Sequence, residues 1–229
     1  MKIGFTGIEL PEGSTKYQDD IITALTEKDT PKKVSPFYVT FIRDEFSLVD
    51  AIVIPKEHIS DILIPDIEKF ENRCGRSEDE TEKQLLQRCI ALMEKETPLY
   101  DMKFTEEELK ILRVLETLSL KPILQLEKEL DTNSLITAVL EKSGTTFFYT
   151  SGKNEVHAWH IKKGLDIVSC AGKIHKDLAR GFIRADIVSV EDYISCHNMN
   201  EAKQKGLVRT VDKNYIIQER EIVDIRFSV

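Results

Sequence analysis

Two groups of residues have the types and spacing to do chemistry. The first is Gly7, Gly13, Ser14, Thr15 and Lys16, set between a strand-like segment, Lys2 to Thr6, and a helix-like one, Asp19 to Thr26. Strand, glycine loop and helix is the layout in which backbone N–H groups and a lysine cradle phosphates. A working loop of the Walker A kind, however, places four residues between its glycines and follows them with Lys-Ser/Thr. Here five residues separate Gly7 from Gly13, and Ser14 stands where the lysine should be. Lys16 could serve a phosphate only from a shifted register, and Glu9, Glu12, Asp19 and Asp20 crowd the loop. Each carboxylate ~4 Å from a phosphate costs roughly 1–4 kcal/mol. The residues therefore favour a loop kept as structure over one that binds a triphosphate productively, and no catalytic residue is assigned.

The second group is basic: Lys153, Lys162, Lys163, Lys173, Lys176, Arg180 and Arg184, with Trp159 and Tyr149 as candidate platforms for a base. Cations interleaved with aromatics suit RNA. Trp159 in a strand is more often core than platform, whereas Lys162-Lys163-Gly164 has the makings of an exposed turn. The net charge of −8 is unevenly spread: residues 1–146 hold 19 Lys+Arg against 29 Asp+Glu, and 147–229 hold 13 against 11. A polyanion contact is expected at the C-terminal end. His157 and His160 lie three apart on a strand and so face opposite sides, which argues against a shared metal ion with His175 and Cys170. His175 suits a local hydrogen bond in its helix instead. Cys74, Cys89, Cys170 and Cys196 form no CxxC pair, so neither a zinc ribbon nor a disulfide framework is expected.

The elements that must position these groups follow from periodicity. Phe37 to Ile42 and Val49 to Ile54 are strand candidates, the second apolar on both faces like a buried parallel strand. Thr30 to Pro36 has the composition of a linker. From Ile67 to Leu120 the chain is helical, with a start at Ser77 or Asp79, a capping box at Thr105 and Glu108, and Leu109, Leu112, Val114, Leu115 and Leu118 turned inward. Lys121 to Leu124 restarts a strand, and Asp131 to Leu140 is a further helix. After Gly144 the pattern becomes strand-like: Thr145 to Thr150 and Val156 to Ile161 flank a hairpin loop, and strands are expected at Ile183 to Val190, Leu207 to Val211, Tyr215 to Gln218 and from Val223. In Ala171 to Val188, Ala171-Gly172 leads into one short helix that ends at Gly181 through positive φ, and Arg184, Asp186 and Ser189 face outward from the strand beyond. A five-stranded sheet wrapped on one helix is a β-grasp plan. No apolar run is long enough to span a bilayer and Met1-Lys2-Ile3 leads into a strand, so a cytoplasmic protein without membrane or DNA contact is expected.

The runs TFFYTSGKNEVHAWHIKKG, AGKIHKDLARGFIRADIVSVEDYI, EAKQKG and NYIIQEREIVDIRFSV resemble the C-terminal TGS domain of the YchF/Obg-like P-loop NTPase family. More weakly, FTEEELKILRVLETLSLKPIL is similar to the family's link from its helical insertion to the nucleotide domain, and FIRDEFSLVDAIVI to the strand after its switch. The resemblance implies an α/β fold: a reduced P-loop-like domain over 1–66 and 121–144, a helical insertion over 67–120 and a β-grasp TGS domain over 145–229. In such a family the Gly7 to Thr15 loop would be intact, a switch segment would precede Phe37, and a base-reading Asn-x-x-Glu would follow Pro122. Here Gln125 to Glu129 takes that last place, with Lys128 where the asparagine amide would meet the base. The combination implies a YchF-like relative with an eroded nucleotide site, acting through its TGS domain on the ribosome, RNA or a translation factor. The alternatives are a residual ATP- or GTP-binding protein with Mg and weak NTPase activity, and a sensor of a small ligand or signalling nucleotide. No cofactor is otherwise expected, and the helical insertion is a candidate surface for a protein partner.

Overall fold

A computed structural model describes residues 1–228. In chain order it contains β1 (Lys2–Phe5), β2 (Gly13–Lys16), α1 (Asp20–Asp29), β3 (Lys33–Ser35), β4 (Tyr38–Arg43), β5 (Ala51–Pro55), α2 (Ile59–Arg76), α3 (Glu80–Met93), α4 (Glu106–Arg113), β6 (Ile123–Leu126) and α5 (Thr132–Lys142). There follow β7 (Thr145–Thr150), β8 (Glu155–Lys162), α6 (Ile167–Ile174), α7 (Lys176–Arg180), β9 (Phe182–Ser189), α8 (Val190–Ile194), α9 (Met199–Gln204), β10 (Arg209–Val211) and β11 (Glu221–Phe227). The chain is a mixed α/β protein in two compact units, Met1–Thr15 with Val39–Ser143 and Lys16–Tyr38 with the chain from Gly144 onward. Among the described residues no helix is long and apolar enough to cross a membrane.

The first unit holds a five-stranded sheet in the order β2-β4-β1-β5-β6. β1 runs parallel to β4 and β5, and β5 parallel to β6. All five β5 residues are buried, as a strand apolar on both faces requires. Ile52 and Ile54 of β5 join Leu63 and Phe70 of α2 and Leu86 and Cys89 of α3 in one core. α2 begins at Ile59, earlier than the helical pattern from Ile67 suggested, and carries Pro65 inside it. A proline there removes one backbone donor, and burial of Ile59, Ile62 and Leu63 around it holds the turn in place. Asp79 caps α3, and Thr105 and Glu108 form the expected capping box of α4. Val114 is 81% exposed rather than turned inward, because it lies two residues past the buried Leu112 and so about 200° round the helical turn from the core-facing side.

The second unit holds a six-stranded sheet in the order β10-β9-β11-β7-β8-β3. Five of these strands lie after Gly144, and the sixth, β3, comes from the stretch whose composition suggested a linker. It runs parallel to β8, pairing Lys33 with Glu155 and Ser35 with His157. Pro31 and Pro36 flank it instead of interrupting its donors. Tyr215 to Gln218, expected as a strand, makes only an isolated bridge from Ile216 to Asp166.

Both faces of this sheet are covered. On one, Phe148, Ile161, Ala185 and Val223 pack with Ile167 and Cys170 of α6. On the other, Tyr17 stacks on Phe147 at 5.8 Å, Phe37 meets the same ring edge-on at 5.1 Å, and α1 lies against β8. The Tyr149 hydroxyl donates to Asp19 Oδ2 at 2.9 Å, while Asp19 Oδ1 accepts from Ile21 N and caps α1. At the far end of α1, Asp29 accepts from Ser151 Oγ at 2.6 Å and Tyr193 OH at 2.8 Å.

The stretch from Ala171 to Val188 differs in three ways from its expected course. The helix is two: α6 starts at Ile167 under an Asp166 cap and so includes Ala171 and Gly172, and extended backbone at His175 separates it from α7. His175 Nδ1 accepts from Asp177 N at 3.2 Å and caps the second piece. Gly181 leaves α7 with φ −95 rather than in the left-handed region. Glycine is needed for space, since a Cβ there would stand 2.3 Å from the carbonyl oxygen of Ser228. Asp186, expected to face outward, is fully buried.

Candidate functional site

In a parallel sheet, ligands are taken at the carboxyl ends of the strands, where loops diverge. In the first unit β1, β4, β5 and β6 end at Phe5, Arg43, Pro55 and Leu126. A cleft of about 390 Å³ lies there, lined by Gly7, Glu9, Arg43, Glu57, Lys128 and Glu129 among others. Of the residues with candidate phosphate roles, Gly7 lines it. Gly13, Ser14, Thr15 and Lys16 instead form β2 at the sheet edge. A strand thus stands between β1 and α1 in the chain, and the strand, loop, helix layout suggested by the sequence is not formed. α1 belongs to the second unit, where Asp19 already occupies its first N–H groups. Gly7 has a structural reason to be glycine: its φ is +69, and a Cβ would meet the Pro55 ring at 3.0 Å.

The cleft's charge is the reverse of what a polyphosphate needs. Four carboxylates, Glu9, Glu57, Glu127 and Glu129, line it against two cations, Arg43 and Lys128. Arg43 is engaged by Glu12 at 2.9 Å and Glu9 at 3.3 Å, and these neighbours hold its guanidinium charge more firmly still. The Lys56 ammonium, 2.7 Å from Glu127, holds that carboxyl below its ordinary range and so in its charged form. The backbone between β4 and β5, where a γ-phosphate sensor would have to move, is pinned. Lys121 Nζ donates to the carbonyls of Phe46 at 2.8 Å, Ser47 at 2.5 Å and Val49 at 2.9 Å. Sequence reasoning passed over Arg43 and Lys121, since neither belongs to a motif and each acquires its role from residues distant in the chain.

The basic group lies in the second unit and is not uniform. Lys153, Lys162, Lys173 and Lys176 are exposed. Lys163 is paired with Glu219 at 2.7 Å, Arg180 with Asp177 at 3.1 Å and Arg184 with Asp212 at 3.7 Å. Trp159 is partly buried against the core around Phe148, donates from Nε1 to Thr150 Oγ1 at 3.0 Å, and stacks on His157 at 3.6 Å between centroids. Tyr149 is buried and committed to Asp19, so it offers no platform for a base. Burial pulls the His157 imidazole below its ordinary value despite Glu155 beside it. Its neighbour in sequence, His160, sits against Phe37 on the other face of the sheet.

Comparison with known proteins places the C-terminal half. The YchF-GTPase_C family model, described as a protein of unknown function (DUF933), matches residues 145–228. The ribosome-binding ATPase YchF of Bacillus subtilis (strain 168) is 41% identical over 97 residues, which are 42% of this chain and 26% of that protein. Obg-like ATPase 1 of Danio rerio is 35% identical over 106 residues, 44% of this chain and again 26% of the relative. The chain thus aligns with about a quarter of the length of these curated relatives. Among solved structures, the YchF GTPase of Schizosaccharomyces pombe superposes with a TM-score of 0.80 over 99% of this chain and 97% of that one. At 15% identity this likeness is one of fold. Residues 145–228 thus carry the YchF-GTPase_C domain, and over this part the chain is similar to the YchF and Obg-like ATPases.

Proposed function

We propose that this chain is a YchF-like protein whose nucleotide site has eroded and which acts without catalysis, through its C-terminal domain, on the ribosome, RNA or a translation factor. In this reading residues 1–66 and 121–144 derive from a P-loop NTPase domain, 67–120 from its helical insertion, and the chain from 145 is a TGS-like β-grasp that works in the cytoplasm. The observation that carries it is the cleft at the strand ends, where four carboxylates outnumber two cations and Lys16 is built into β2. Phosphoryl transfer depends on a phosphate clamp and a metal loop. Neither Ser14 nor a pinned 44–50 loop supplies one. Ribosome binding is supported by the name of the Bacillus subtilis relative.

Arg43 and Lys128 in the cleft, together with the word ATPase in the relatives' names, favour a second reading in which weak ATP or GTP binding with Mg survives. Gly7 and these two cations would then meet the phosphates and base.

Cosedimentation tests the ribosome reading. The chain is expected to pellet with ribosomes and to be released as KCl rises from about 50 to 300 mM, because the contact is made by phosphates and counterions return to them. A chain that stays in the supernatant at low salt would refute it.

A further inference from the structure

Among the described residues the two most exposed large apolar side chains are Val114, at 81%, and Leu48, at 75%, and both belong to the first unit. Val114 lines a groove of about 310 Å³ together with Ile111, Leu115, Lys110, Arg73 of α2 and Glu82 of α3. Ile111 and Leu115 also pack against the core of the unit and are anchored by it. Arg73 and Glu82 are engaged with each other, Nε to Oε1 at 2.8 Å. Lys110 is exposed and makes no ion pair among the described residues. The groove is therefore apolar with one positive charge uncommitted. Its volume is at the small end for a ligand pocket, which suits one or two side chains.

Leu48 stands in the loop between β4 and β5, which is held from within. Glu45 Oε1 accepts from Ser47 N at 2.7 Å and from Leu48 N at 3.2 Å, and Lys121 Nζ holds the carbonyls of Phe46, Ser47 and Val49. Phe46 and Val49 pack into the core on either side, which leaves Leu48 outward. The loop is also acidic. The Ser47 hydroxyl and the backbone N–H groups hold the Glu45 carboxyl below its ordinary range, hence charged, and Asp44 is exposed without an ion pair among the described residues. Exposed apolar surface of this kind marks sites of association. A side chain fixed in place beforehand loses little freedom on docking.

We propose that the groove takes the Leu48 loop of a second copy of this chain, with Leu48 against Ile111, Val114 and Leu115 and the loop carboxylates toward Lys110. The proposal goes beyond the ribosome reading and does not depend on it. An acidic segment of another protein would fill the groove, but a second copy covers Leu48 as well, so one contact removes both exposures. The net charge of −8 opposes self-association at long range. At about 0.15 M salt, however, charges more than about 8 Å apart are largely screened, whereas contacts in the groove are not. Reciprocal docking closes a pair, and one-way docking extends a chain of copies.

The test is sedimentation velocity of the whole chain from about 5 to 500 μM, a range that spans the weak affinities of small interfaces. The weight-average sedimentation coefficient of the parent is expected to rise across it. Leu48→Ser and Val114→Asp should each weaken association at least about tenfold, with Tm unchanged because both side chains are exposed. An equal mixture of these two variants should regain association, since the loop of one meets the intact groove of the other. Lys110→Glu should weaken it about fivefold. Ile183→Ser, which removes an exposed apolar side chain of the second unit, should leave it unchanged. A parent that stays monomeric throughout overturns the second copy and gives the groove to a segment of a different protein. Association as strong in both variants as in the parent places the interface elsewhere and overturns the proposal. Association lost in both and not regained on mixing would show each patch meeting its own like, and would overturn the pairing of loop with groove.

Discussion

A polypeptide of residues 144–228, cut where the strand-like pattern begins, is expected to show no cooperative thermal transition, whereas the same piece joined to residues 16–38 is expected to melt as one. The reason is that the β7–β8 part of one sheet face is covered by the earlier segment. Without Tyr17, Phe37 and α1, the rings of Phe147 and Tyr149 lose their cover, Asp19 no longer receives the Tyr149 hydroxyl, and β8 loses its outer neighbour β3. Burying Phe147, Tyr149 and Leu25 contributes about 1.5–3 kcal/mol each, and the half-buried Phe37 less. Their sum is comparable to the entire stability of a small domain, about 5–15 kcal/mol. Circular dichroism and scanning calorimetry on the two polypeptides decide the matter. A cooperative transition in 144–228 near that of the whole chain would show that residues 16–38 are ornament.

Asp186→Ala should be a costly substitution in the second unit, and the costliest loss of a charge there. The carboxylate is fully buried, accepts from Thr210 Oγ1 at 2.8 Å, and meets Lys203 at 2.8 Å and Arg226 at 2.6 Å. It therefore ties β9 to β10, α9 and β11. Removing one partner of a buried ionic cluster costs about 3–5 kcal/mol when the remaining charges are stranded. Because Lys203 and Arg226 are partly exposed and regain water, the lower end, about 3 kcal/mol, is expected. For a domain of this size that is a fall in Tm on the order of 12–24 °C. Asp186→Asn keeps the shape and the Thr210 bond and should cost less.

Acid should act in the same direction. Burial alone would push the Asp186 carboxyl up, but Lys203, Arg226 and Thr210 outweigh it and hold the group below its ordinary value. Its contribution is accordingly complete above the unfolded value of about 3.9 and is lost as pH falls below that through the depressed folded value. The substituted chain should lack this part of the parent's acid sensitivity.

What the sequence could say depended on how local the cause was. Helix starts were legible, because an Asp or Thr cap acts on N–H groups two or three residues away: Thr105 with Glu108 caps as expected, Asp79 rather than Ser77 opens α3, and Asp131 rather than Thr132 opens α5. β5, β7 and β8 were legible from apolar pattern alone. Lys33–Ser35 was not, since a three-residue edge strand exists only because β8 offers it a partner 122 residues away at Glu155. Asp186 looked outward because alternation knows nothing of Lys203 and Arg226, and Asp166 lies just beyond the stretch that suggested one helix.

The candidate site divides in the same way. The missing lysine at Ser14 was plain from spacing, but the carboxylate excess of the cleft arises from Glu9, Glu57, Glu127 and Glu129, which only the parallel sheet brings together. Likewise Arg184 stood out as a basic residue, while Arg226 joins it only through the register of β11 with β9.

The central claim is that chemistry has left the cleft and that the C-terminal domain retains the function. Isothermal titration of the whole chain with ATP and with GTP, each with Mg, tests it most directly. The expected result is no saturable heat up to about millimolar nucleotide, a bound of about −4 kcal/mol on the binding free energy. A saturable isotherm in the micromolar range, abolished by Arg43→Ala, would contradict it and make the cleft a nucleotide site.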